Sequence, residues 1–165
     1  MKKLLLVRHA KSDWNDPKLS DFDRPLNDRG HKNAPEMAER LLKKHIVPEL
    51  IVSSPAKRAF TTAKYFAKTF GIDKSEIEKN EGIYEASVND LLKIINDFDN
   101  SKNFIALFGH NPGITTLAVG LSGAYITNIP TCGLILIEFP FDDWRMISFD
   151  TGAKLLYDYP KNEDE

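Results

Sequence analysis

The chain has almost no cysteine, no long apolar run and no surplus of charge. Cys132 is the only cysteine among 165 residues, so an intramolecular disulfide is impossible and a thiolate metal site is not expected. Lys2 and Lys3 precede an apolar run that Arg8 ends, short of the ~7–15 residues of a signal-peptide core. No stretch approaches the ~18 apolar residues of a membrane span. A cytoplasmic protein with no membrane partner is the expectation. The formal net charge is −2, so nucleic acid is not an expected partner, and any anion must be held by a local cluster of cations.

Several motifs are absent as well. There is no Gly-Lys-Ser/Thr run, which excludes a P-loop. His9, His31, His45 and His110 show no paired ligand spacing and no carboxylate cluster accompanies them, so neither a metal nor another cofactor is expected. A cysteine phosphatase needs Arg six positions after its nucleophile, and Glu138 stands there relative to Cys132.

What remains is an ordinary globular composition, 42% hydrophobic and 28% charged. The length suits one domain, expected over 1–160, with 161–165 as a solvated acidic tail, and a monomer is expected. Leu4 to Val7 reads as a strand buried on both faces. A long polar loop follows from Ser12 to Arg29. A helix is predicted from about Asp28 to Lys44, where Pro35 and the Asn33/Glu36 pair suggest a kink or a late start. Leu50 to Val52 is a second strand, and Ser53-Ser54-Pro55 has the form of a capped helix start. Further strands are expected at Ile77–Tyr84, Phe104–Phe108, Gly133–Phe139 and Arg145–Phe149, the last two as a hairpin around Asp142-Asp143. Helices are expected at Val88–Phe98 and from Gly113 to about Leu121. The alternation indicates an α/β sandwich on one sheet.

Three strand ends pass into polar turns carrying Arg or His: Arg8-His9, Arg58 one turn into its helix, and His110 within Gly109-His110-Asn111-Pro112-Gly113. Ligands collect at such strand ends, and the helix N-termini there suit phosphate. Taken singly, Arg58 reads equally well as a solvated helix residue and His110 as a structural turn histidine.

The order of these pieces resembles the histidine phosphatase superfamily. Arg8-His9-Ala10 stands for that family's Arg-His-Gly, with alanine replacing glycine. Ser54-Pro55-Ala56-Lys57-Arg58-Ala59-Phe60-Thr61-Thr62-Ala63 matches its second signature, and Gly109-His110 its third. Within the family the chain is similar to the short SixA-like phosphohistidine phosphatases, through Arg8 to Ser12, Asp23-Arg24-Pro25-Leu26, Tyr84-Glu85-Ala86-Ser87 and Gly109 to Gly113. The resemblance covers roughly Met1 to Gly123.

It implies a phosphoglycerate mutase-like α/β/α sandwich with a mostly parallel sheet. It also implies a metal-independent phosphatase in which His9 is the nucleophile and Arg8, Arg58 and His110 hold the phosphate. Glu85 matches the position of an acid in many members, and Asn15 matches a phosphate-pocket Asn of larger relatives. Arg24 and Arg29 are expected to secure the loop. The implied substrate is a phosphorylated protein or a small phosphate ester. The short chain leaves little length for a lid, which favours phosphohistidine on a protein. A small-molecule phosphatase or mutase, and a non-catalytic phosphate-binding module, are the alternatives.

Overall fold

The structure is a computed structural model and describes residues 1–162; the remainder of the expected acidic tail, 163–165, lies outside the described residues. The sheet has six strands: β1 (Lys2–Arg8), β2 (Leu50–Ser53), β3 (Glu78–Lys79), β4 (Phe104–Gly109), β5 (Leu134–Phe139) and β6 (Ala153–Asp158), in the order β3-β2-β4-β1-β5-β6. β1 pairs in parallel with β4 and β4 in parallel with β2, while β5 runs antiparallel to β1.

The apolar run of β1 serves two cores because successive side chains point to opposite faces. Leu4 and Leu6 pack with Leu91 and Ile95 of α3 (Val88–Asn96) and Ile114, Leu117 and Leu121 of α4 (Gly113–Ser122). Leu5 and Val7 pack with Met37 and Leu41 of α1 (Asp28–Lys43) and with Ala63 and Phe66 of α2 (Lys57–Phe70). The result is the expected α/β/α sandwich. Among the described residues no helix is long and apolar enough to cross a membrane.

Lys2 is buried in the start of β1. Its Nζ donates to the carbonyls of Asn100 and Lys102 at 2.9 and 3.1 Å and to Asn103 Oδ1 at 2.9 Å. Three acceptors replace the water lost by the ammonium.

Four local expectations are corrected. α1 does not restart at Asn33: the Asn27 side chain caps it, accepting from the Gly30 N–H, and the helix continues through Pro35. Burial of Ala34, Met37, Ala38 and Leu41 offsets the one backbone bond that proline removes. No serine caps α2. Ala56 holds that position without a side-chain bond, because Ser53 and Ser54 are turned into the interior. The strand expected at Ile77–Tyr84 shrinks to Glu78–Lys79, since Asn80 caps a 3-10 turn over Glu81–Ile83. Arg145–Phe149 is not a strand: Asp143 caps a 3-10 turn at Trp144–Met146, Trp144 is buried with its Nε1 donating to Lys102, and the partner of β5 is β6.

Candidate active site

The register of the sheet places the chemistry. Arg8 is level with Gly109 across the β1–β4 pair, so the two strands end side by side, and the His9 N–H donates to the Gly109 carbonyl at 3.1 Å. The Ser54 N–H donates to Phe108 at 3.0 Å, which sets the start of α2 against the same end of β4. Arg8, His9, Arg58 and His110 therefore meet at one edge.

His9 is 7% exposed and Arg58 6%. His9 Nδ1 lies 2.7 Å from the Ala10 carbonyl. A carbonyl only accepts, so Nδ1 carries the proton and Nε2 keeps its lone pair. Arg58 Nε donates toward that Nε2 at 3.4 Å. The His9 and His110 rings are 5.2 Å apart, and His110 Nε2 is 2.8 Å from Ser54 Oγ. Arg8 Nη1 donates to the Ile129 carbonyl at 2.9 Å. Arg8 Nε and His110 Nδ1 are buried with no hydrogen-bond partner among the described residues. Such atoms are costly unless a bound group satisfies them.

The imidazoles are held neutral. Burial, opposed by the Ala10 hydrogen bond and reinforced by His110, Arg58 and Arg8, lowers the His9 pKa to about 3. Burial and the charge of Arg58 lower that of His110 to about 4. Neutral His9 is the form that can attack an electrophile.

Glu85 sits on the rim beside Tyr84, exposed, with a φ of 59° and no hydrogen bond among the described residues. Asn15 is exposed in the loop; its N–H donates to Asp13, and its side chain makes no hydrogen bond among the described residues. Arg24 does secure the loop. It donates to Ser12 Oγ at 2.6 Å and to Asp21 at 2.9 Å, and its guanidinium carbon stacks 3.4 Å from the Trp14 ring centroid.

Asp21 was not foreseen from the sequence. Its carbonyl and Oδ2 accept from Arg58 at 2.7 and 3.0 Å, and Oδ2 also accepts from the Tyr84 hydroxyl at 2.6 Å. The only signal was its spacing, three residues before Arg24. In the sequence Ser54 belongs to the second signature, and nothing there marks it as the partner of His110. A separate cleft of about 490 Å3, lined by Lys64, Tyr65 and Lys68 of α2, contains none of these groups. Among the described residues no group of three or more His, Cys, Asp or Glu could hold a metal ion.

The family model of the histidine phosphatase superfamily (branch 1) matches residues 4–120, the span that carries Arg8, His9, Arg58 and His110. The chain belongs to the histidine phosphatase superfamily. Curated proteins similar to it include an uncharacterized chloroplastic protein of Arabidopsis thaliana, 32% identical over 152 residues (87% of this chain, 69% of that protein). Phosphoserine phosphatase 1 of Hydrogenobacter thermophilus is 38% identical over 87 residues, covering 52% of this chain and 39% of that one. The chain thus spans well under half the length of the second relative. Among solved structures, the SixA protein of Agrobacterium tumefaciens superposes with a TM-score of 0.81 at 27% identity, over 96% of this chain and 98% of that one. The protein histidine phosphatase SixA complexed with tungstate shares the fold, with a TM-score of 0.80 at 18% identity over 96% and 97% of the two chains.

Proposed function

We propose that this chain, as a single domain over 1–160, is a phosphatase that works without a metal ion, carries phosphate on His9 as a covalent intermediate, and acts on phosphohistidine displayed on a protein. The observation that carries the reading is the state of His9: a buried, neutral imidazole whose Nδ1–H is fixed by Ala10 and whose Nε2 lone pair faces Arg58.

His9 Nε2 forms a bond to phosphorus as the bond to the leaving group breaks in line. Its proton stays on Nδ1, so the phosphorylated ring is cationic and ready to leave in turn. Water then attacks phosphorus, the electron pair returns to Nε2, and the water proton goes to solvent. Arg8, Arg58 and His110 stabilise charge on the equatorial oxygens, the dominant catalytic need in phosphoryl transfer. Glu85, next in the chain to Tyr84, is assigned the protonation of an oxygen leaving group. A protonated nitrogen leaving group needs little such help. The likeness to SixA proteins supports a protein-borne substrate.

A brief incubation with labelled phosphohistidine protein should leave label on His9 that is stable in alkali and lost in acid. Turnover should survive EDTA, fall with vanadate and vanish in His9→Ala. Acid-stable label, or label elsewhere, would overturn the mechanism. The second reading, a small-molecule phosphomonoesterase, is favoured by the likeness to phosphoserine phosphatase 1. Efficient turnover of a small phosphate ester with none on phosphohistidine protein would select it.

A further inference from the structure

The loop between β1 and α1 brings a carboxylate to the mouth of the site, against Arg58 and Tyr84. The Asp21 side chain is 49% exposed, at the mouth of the site above buried Arg58. Its Oδ1 accepts from Arg24 at 2.9 Å, and its Oδ2 from Arg58 at 3.0 Å and from Tyr84 at 2.6 Å. The Tyr84 ring lies 5.5 Å from the His110 ring and 5.2 Å from that of Phe22, both edge-on. The Tyr84 hydrogen bond, aided by Arg24 and Arg58, holds the Asp21 carboxyl well below the usual carboxylate range, so it is ionised throughout the neutral range.

This arrangement works against simple phosphate affinity. Asp21 neutralises one of the guanidinium charges of Arg8, Arg24 and Arg58 and repels an incoming dianion. A group bound to the phosphorus through a positively charged atom is favoured by the same carboxylate.

We propose that Asp21 is a specificity-determining residue, favouring phosphoryl groups carried on a cationic nitrogen over those carried on a hydroxyl oxygen. The proposal rests on the reading of phosphohistidine as substrate and names the residue that selects it. In phosphohistidine the ring nitrogen not bonded to phosphorus can hold a proton, so the ring is positive. As His9 Nε2 bonds to phosphorus, the P–N bond of the substrate breaks and its electron pair stays on the departing nitrogen. The ring leaves neutral, keeping the proton it already held. Asp21 favours the protonated ring on entry. A phosphoserine ester brings no such charge and meets only the repulsion, so discrimination comes from an unfavourable element as well as a favourable one.

The test compares kcat/KM on two peptides of the same sequence, one carrying phosphohistidine and one phosphoserine, for the wild type, Asp21→Asn and Asp21→Glu. Asp21→Asn should lower the phosphohistidine-to-phosphoserine ratio by about tenfold or more, as expected for loss of a unit charge near the reacting group. Asp21→Glu keeps the charge and should hold the ratio within about threefold of wild type. Inorganic phosphate should inhibit Asp21→Asn more tightly than wild type. An unchanged ratio in Asp21→Asn, or an equal fall in both variants, would overturn the proposal. If the wild type ignores phosphohistidine, the functional reading fails, and the phosphate inhibition constants alone then decide whether Asp21 weakens anion binding.

Discussion

Arg58 directs its Nε–H at His9 Nε2 across 3.4 Å, so the proposed nucleophile and a proposed phosphate-binding cation face each other. The same guanidinium is also held by Asp21, through one carbonyl and one carboxylate bond. On the proposed reading, this fork sets where the phosphoryl group lies.

Arg58→Lys should therefore lower kcat/KM by about a hundredfold, while the melting temperature changes little. Lysine keeps the charge but has neither the planar fork nor the Nε–H aimed at His9. Steady-state kinetics beside a thermal melt checks this; retention of most activity would mean that charge alone suffices.

Glu85→Gln should separate substrates by leaving group. On phosphohistidine peptide the loss should be about threefold or less, because the leaving ring brings its own proton. On an alkyl phosphate ester it should be about a hundredfold, within the range of general acid catalysis. Equal losses on both would remove Glu85 from the role of proton donor and leave it a rim carboxylate.

The buried histidines predict the acid limb of stability. Folding lowers the pKa of His9 to about 3 and of His110 to about 4 from an ordinary 6.5. Between those values the unfolded chain binds protons that the folded chain refuses, so stability rises with pH across the window. It is complete above about 6.5 and declines as pH falls toward 4. Urea midpoints measured from pH 7 to pH 4 should fall and should flatten in His110→Asn. In the folded protein, the NMR shifts of both rings should stay constant from pH 7.5 to 5.5.

Lys2→Met keeps the apolar stem and removes the ammonium from three acceptors. Leaving those acceptors without a donor should cost about 1–3 kcal/mol. The urea midpoint should drop at constant slope. Lys2 opens β1 and His9 follows its end, so kcat should be unaffected. A fall in kcat would mean that β1 transmits the change to the site.

Much of this molecule was legible in its residues. The apolar run of β1 had to be buried on both faces. The Arg8-His9, Arg58 and Gly109-His110 pieces follow strand ends, and their order marked the superfamily. Helix starts were less legible because capping is local and competitive: Asn27 outcompeted Asn33 as the cap of α1, and Ser54, with the outward look of a cap, turned inward to His110. The last strand was misplaced because burial of Trp144 drew its segment into a turn. Asp21 was invisible because its importance lies in no spacing along the chain. Loop closure brings it to Arg58, 37 residues away, and to Tyr84, 63 away. For His9 itself, the sequence determined the residue type and its place at a strand end. Only the tertiary structure decided its tautomer, its neutrality and the carboxylate that holds its Arg58 partner, since these follow from burial and from hydrogen bonds that exist only once distant segments meet.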